Sequence, residues 1–173
     1  MVKVIAEIGI NHNGDLQLAK EMIRKAKEAG AYAVKFQKRN PELCVPQHQR
    51  NIMRETPWGE MSYIDYKHKI EFGKEEYDEI YKYCKDIDIR CFMSVWDMDS
   101  LRFALTYSNW LVKIPSALLT DSELVESAGR EFDNVIISTG MSTFGEVYNV
   151  TKGFYRRKNL ILFYAVSSYP APL

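Results

Sequence analysis

Short apolar segments alternate with amphipathic helical segments along the whole chain, and that alternation is the strongest constraint on its fold. Residues 2–8 are apolar and β-branched, and Gly9 with Asn11-His12-Asn13-Gly14 then breaks the run with turn residues. Asp15 suits a helix N-cap. Ala19, Met22, Ile23 and Ala26 follow at i, i+3, i+4 and i+7, placing one apolar stripe on the helix it opens. Gly30 closes that helix, and residues 31–37 read as a second short strand. This is one β-loop-α-β unit of the kind that builds parallel sheets.

The unit recurs. Further strands are predicted at residues 89–94, 110–114, 134–139 and 160–166, and helices at about 74–86, 99–107, 121–130 and 143–153. The later strands begin about 20–25 residues apart, the spacing of a TIM-type (β/α) barrel. The predicted class is therefore α/β, with a barrel of which this chain carries six strands. One interval breaks the rhythm. Residues 38–73 form a long excursion between the second strand and the next helix, and its Trp58, Met61, Tyr63, Ile64 and Tyr66 favour a packed segment over a loose one. No low-complexity linker or strict repeat marks an internal domain boundary, so residues 1–173 read as one partial barrel domain.

Composition narrows the function. The 173 residues are 46% hydrophobic, which argues against disorder, and 23 basic side chains balance 23 acidic ones, leaving no electrostatic footprint for nucleic acid or an acidic membrane. The longest apolar run, 160–166, is far too short for a bilayer, and the immediate entry into a strand leaves no room for a secretory leader. Cys44, Cys84 and Cys91 are odd in number and lack metal-ligand spacing, which suits reduced thiols in a cytoplasmic protein.

In a parallel barrel the carboxyl ends of the strands build the active site. Those positions hold Glu7; Lys35 and Gln37; Ser94 and Asp97; Lys113 and Ser116; Ser138 and Thr139; and Ser167 and Tyr169. Two lysines set in apolar runs, with several hydroxyls, point to an anion-binding rim. Ser138-Thr139-Gly140 also precedes a helix whose N-terminal amides could complete a phosphate site. Glu7 is either an acid/base group or a charge partner for one of the lysines. His12, His48 and His68 share no metal-binding spacing and read as surface histidines. Arg156-Arg157-Lys158 reads as a solvated turn.

Five runs together resemble the N-acetylneuraminate (sialic acid) synthase family: Ala6-Glu7-Ile8-Gly9-Ile10-Asn11-His12-Asn13-Gly14, Val34-Lys35-Phe36-Gln37, Lys113-Ile114-Pro115-Ser116-Ala117, Ile137-Ser138-Thr139-Gly140-Met141-Ser142 and Ser168-Tyr169-Pro170-Ala171-Pro172. Thr56-Pro57-Trp58-Gly59-Glu60-Met61, Glu71-Phe72-Gly73 and Ser94-Val95-Trp96-Asp97 are similar to one branch of it. The resemblance implies a (β/α)₈ barrel condensing phosphoenolpyruvate with N-acetylmannosamine or a related amino sugar, with Mn²⁺ or Mg²⁺ polarising the sugar aldehyde. Carried over by motif, Lys35, Lys113, Ser116, Ser138 and Thr139 hold phosphoenolpyruvate, helped by Ser94, Ser167 and Tyr169. Glu7 handles water or a proton at the reacting carbons, and Gln37 faces the sugar. Tyr164-Ala165-Val166 departs from the His-Cys-Thr or His-Cys-Val run of that strand.

A full barrel takes about 250 residues, so the resemblance also implies that two strands, the metal-binding histidines and the antifreeze-like C-terminal domain lie outside this chain. The metal ligands are then not among these residues. Self-association or a complementary chain is expected to cover the open sheet edges. Two other functions fit the residues: a non-catalytic or split-chain module that keeps the phosphoenolpyruvate rim, and a Schiff-base aldolase using Lys35 or Lys113.

Overall fold

The computed structural model describes residues 2–154 and 160–168, in two compact units, Met1–Phe92 and Met93–Leu173. The first unit opens with β1 (Ile5–Gly9), α1 (Leu16–Glu28) and β2 (Ala33–Lys38). The two strands pair in parallel, with Ile5, Ala6 and Glu7 opposite Ala33, Val34 and Lys35. Asp15 caps α1 as its sequence position predicts, its carboxylate accepting from the amides of Gln17 (2.7 Å) and Leu18 (3.0 Å). β2 is covered on both faces, as a parallel strand usually is, and its Ala33, Val34 and Phe36 are wholly inside. Against them pack Ala19 and Ile23 of α1 and, from α4 (Lys74–Asp86), Tyr77 and Ile80, all fully or almost fully buried. The Tyr77 hydroxyl donates to the Gln37 carbonyl at 3.0 Å, so the aromatic stripe on α4 is core with one polar tip satisfied.

The excursion after β2 is ordered and folded. It contains a short helix α2 (Pro41–Cys44), a 3₁₀ turn at Gln47–Gln49, an antiparallel hairpin of β3 (Met53–Thr56) and β4 (Gly59–Ser62), and helix α3 (Tyr63–Ile70). The hairpin brings the strands described to eight, against the six read from the sequence. Its Arg54, Glu55 and Glu60 stand in solvent, so no apolar alternation marks it. Local polar bonds hold it instead. Thr56 Oγ1 donates to the Gly59 carbonyl at 2.6 Å and accepts from the Trp58 amide at 3.2 Å across the Pro57-Trp58 turn.

β5 (Arg90–Val95) begins in the first unit and ends in the second. There it pairs in parallel with β6 (Val112–Ile114), β6 with β7 (Val135–Ser138), and β7 with β8 (Leu160–Phe163). Helices α5 (Met98–Leu105), α6 (Ser122–Glu131) and α7 (Phe144–Phe154) alternate with these strands. Val95, Leu101, Val112, Ile114, Leu124, Ala128, Ile136 and Ile137 form this unit's core. β8 differs from the others: Ile161, Leu162 and Phe163 are 43%, 41% and 41% exposed, in a strand type usually covered on both faces. The predicted strand over 160–166 is shorter in the structure, ending at Phe163. Among the described residues no helix is long and apolar enough to cross a membrane.

Candidate functional site

In the first unit the parallel register places Glu7 on β1 directly opposite Lys35 on β2, and the two side chains form an ion pair. The lysine side chain is 10% exposed and the carboxylate 49% exposed, so the pair has one wet end and one dry end. Burial draws the Lys35 ammonium below its usual pKa, while the Glu7 carboxylate pulls the other way. Of the two roles open to Glu7 in the sequence, the resting geometry supplies the charge partner.

Gln37, two residues on, accepts a hydrogen bond from the Arg39 guanidinium. Arg39 leads into a cluster that the rim-by-rim reading of the sequence missed. Its Nε meets Glu71 Oε1 at 2.9 Å without hydrogen-bond alignment, and Lys38 Nζ lies 3.5 Å from the same carboxylate. Lys38 Nζ also donates to the Phe72 carbonyl at 2.7 Å. Burial pushes the Glu71 carboxyl above its usual range, against the opposing pull of Lys38 and Arg39. Lys67, buried on α3, rests over the rings of Tyr63 (5.0 Å) and Tyr66 (5.2 Å). Burial and then the charge of Arg39 bring its pKa down to about 8. The available signal was the placement of Lys67 and Glu71 four apart at the end of a helix, a spacing that surface helices share.

His12 corrects the surface reading given to the three histidines. It is only 2% exposed, stacked on Phe72 with ring centroids 4.0 Å apart and planes 16° from parallel. Its Nδ1 accepts from the Gly14 amide at 3.1 Å, which bends the loop after β1. Burial lowers its pKa to about 4, so the ring is neutral at pH 7. Gly14 has φ +71°, and a Cβ there would stand 2.6 Å from the Lys69 carbonyl. The end of α3 is therefore seated on this loop.

The second unit carries the hydroxyl-rich share of the candidate residues. Ser94 lies opposite Lys113 in the β5–β6 register; the serine is buried and the lysine half-buried. Ser116 Oγ accepts from the Gly140 amide at 3.1 Å, and Ser138 is buried at the end of β7. A Cβ on Gly140 would come within 2.5 Å of Ser167 Oγ and 3.0 Å of Ser116 Oγ, so only a bare α-carbon lets both hydroxyls close on this backbone. The Thr139 amide and hydroxyl both donate to the Phe163 carbonyl, at 3.0 and 3.1 Å. That leaves the threonine oxygen lone pairs, but not its proton, for a ligand. Tyr169 lies outside the described residues.

Two rim expectations change. Asp97 is an N-cap, accepting from the amide (2.7 Å) and hydroxyl (2.9 Å) of Ser100 at the start of α5. The start of α7 is closed by its own capping box. Glu146 accepts from the Thr143 amide (2.7 Å) and hydroxyl (2.8 Å), and those bonds hold its carboxyl below the usual range. The box takes up the Thr143 and Glu146 amides of this segment. Among the described residues no group of three His, Cys, Asp or Glu side chains is placed to hold a metal ion. The divalent ion implied by the family resemblance therefore has no donor set among them.

Comparison with known proteins gives these residues their context. The family model described as the NeuB family matches residues 22–173. The N-acetylneuraminate-9-phosphate synthase of Drosophila melanogaster is 32% identical over 98% of this chain and 46% of its own length. The N,N'-diacetyllegionaminic acid synthase of Campylobacter jejuni is 29% identical over 98% of this chain and 52% of its own. A crystal structure of the N-acetylneuraminic acid (sialic acid) synthetase of Leptospira borgpetersenii in complex with citrate superposes with a TM-score of 0.86 at 30% identity, covering 99% of this chain and 56% of that one. A DAHP synthase of Thermotoga maritima shares the fold alone, with a TM-score of 0.67 at 12% identity. The chain spans about half the length of the curated relatives it matches.

Proposed function

Because the chain belongs to the NeuB family, we propose that it supplies the phosphoenolpyruvate-binding portion of a synthase that joins phosphoenolpyruvate to N-acetylmannosamine or a related amino sugar, releasing phosphate. In that reaction the methylene carbon of phosphoenolpyruvate bonds to the aldehyde carbon of the sugar. Water adds at the neighbouring carbon, and the C–O bond to phosphate breaks. Lys35 and Lys113 supply ammonium groups to the carboxylate and phosphate. Ser94, Ser116, Ser138, Ser167 and Tyr169 supply directional bonds to their oxygens, Thr139 joins them once its hydroxyl turns from the Phe163 carbonyl, and Gln37 faces the sugar. Glu7 keeps Lys35 protonated until an anion arrives, and a carboxylate freed by that exchange is placed to take a proton from the attacking water.

The observation that carries this reading is the approach of Ser116 and Ser167 to the bare Gly140 backbone, two residues after the buried Ser138. Hydroxyls gathered on a backbone stripped of its Cβ suit a small, oxygen-rich anion better than an apolar ligand. The test is calorimetric titration with phosphoenolpyruvate. Binding by the wild type, weakened at least about tenfold by either Lys35→Ala or Lys113→Ala, supports the assignment. Wild-type and variant chains that bind alike would overturn it.

The lowered pKa of Lys35 favours one other chemistry, imine formation with a keto acid. Borohydride trapping with pyruvate separates the two, since a synthase of the proposed kind leaves Lys35 unmodified. The exposed apolar side chains of β8 favour a covering element, whether further residues of a longer chain, a second copy or a complementary chain. Sedimentation of the chain as a monomer at all concentrations would exclude a second copy.

A further inference from the structure

The side-chain amide of Gln37 can turn either of two opposite ends to a ligand, an oxygen that accepts or a nitrogen that donates. In this protein Arg39 makes the choice. Its Nη2 donates to the Gln37 amide oxygen. A guanidinium has five donors and no acceptor, so reversing the amide would lose that bond and set donor against donor. The nitrogen is thereby directed away from Arg39, and among the described residues nothing accepts its protons. It lies beside Gly9. A Cβ there would stand 3.5 Å from Gln37 Nε2 and 2.9 Å from Glu7 Oε1, so the two polar atoms flank one bare α-carbon at the end of β1. A donor and an acceptor placed together in this way suit a hydroxyl, which donates to Glu7 while its oxygen accepts from Gln37.

Arg39 is itself held from behind. Glu71 accepts from the Arg39 backbone amide at 3.4 Å, and its Oε1 lies 2.9 Å from the guanidinium Nε. Both side chains are 8% exposed, so the contact is made away from water, and the planar guanidinium keeps its direction better there than a flexible ammonium would. We propose that Arg39 is a positioning residue for the sugar: backed by Glu71, it fixes Gln37 as a donor, and it acts on sugar binding only through that amide. This rests on the function proposed above and adds the group that sets the polarity of its sugar contact. An unoriented glutamine would present the competent end only part of the time, and would also have to be ordered when the sugar binds.

The experiment is a double-mutant cycle, read by calorimetry of N-acetylmannosamine on the whole chain saturated with phosphoenolpyruvate. Arg39→Met is expected to weaken the sugar about three- to tenfold, the effect of leaving one glutamine unoriented, with phosphoenolpyruvate affinity within about twofold. In a Gln37→Ala background the same substitution should change sugar affinity by less than about twofold, because the group it orients is gone. Arg39→Lys keeps the charge beside Glu71 but not the fork, and it takes the place of Arg39→Met in the cycle, with the same pattern expected, if that variant does not fold. Losses that multiply in the double variant would mean that Arg39 acts on the fold or on the sugar directly, and they overturn the proposal. Full sugar affinity in a folded Arg39→Met overturns it too, as does a wild type that binds phosphoenolpyruvate but takes no sugar. Failure of the parent reading is separately visible, as phosphoenolpyruvate that does not bind or is indifferent to Lys35→Ala.

Discussion

Glu7 and Lys35 face each other across the β1–β2 pair because the strands are parallel and in register at that point, and their side chains meet in an ion pair whose lysine end is the buried one. The pair is asymmetric in a useful way. The carboxylate stays half in water, where it can exchange partners, while the ammonium is held at a fixed place by the surrounding core.

Glu7→Gln is therefore expected to destabilise the chain by about 1–2 kcal/mol, a modest cost because the carboxylate is well hydrated. An anion that reaches Lys35 should repair this. Phosphoenolpyruvate is expected to raise the thermal midpoint of Glu7→Gln more than that of the wild type, which parallel melts with and without ligand would show. Equal shifts would mean that the anion does not reach Lys35.

His12 makes stability pH-dependent in a predictable direction. Its pKa is about 4 in the fold and 6.5 when unfolded, so the unfolded chain binds the extra proton between those values. The contribution is complete above pH 6.5 and is lost as the pH falls toward 4, a loss of up to about 3 kcal/mol. Urea midpoints at pH 7 and pH 5 should differ in the wild type and differ less in His12→Gln. An unchanged difference in that variant would assign the acid sensitivity to other groups.

Gly140→Ala should act on the ligand more than on the fold. The added methyl meets two serine hydroxyls, which can swing away, and the Ala165 carbonyl at 3.1 Å, which need give by only a few tenths of an ångström, so a stability loss of about 1–2 kcal/mol is expected. Phosphoenolpyruvate affinity should fall at least about fivefold, because the displaced hydroxyls no longer point at one anion. Titration of the variant against Ser116→Ala tests whether both changes remove the same interaction.

Gly14→Ala should do the opposite. Here the methyl meets a backbone carbonyl at 2.6 Å and the residue sits at φ +71°, so neither strain nor clash can relax through a side chain. A loss of about 2–4 kcal/mol is expected in denaturant unfolding. A near-neutral result would show that the loop and the end of α3 can separate without cost.

The alternating elements were legible in the sequence because their signals are local. The cap at Asp15, the stripe through Ala19, Met22, Ile23 and Ala26, and the helix over Lys74–Asp86 each follow from residues a few positions apart. The rim residues were legible for the same reason, since a strand end can be read from the strand. The hairpin at Met53–Ser62 was not, because solvent-facing side chains on both of its strands erase the period-two pattern.

What the sequence by itself determined is the α/β order of elements, the family, and the residue types delivered to each strand end. What only the tertiary structure decided is which of those groups are dry and which touch. His12 and Lys67 look like ordinary loop and helix-surface residues until Phe72, Tyr63 and Tyr66 are seen to cover them. Glu7 could be assigned a partner only once register was known, since a shift of one residue would turn it to the other face. Burial and register depend on segments far apart in the chain, and they set the charge state and reach of each polar group; no local reading of residue types contains them.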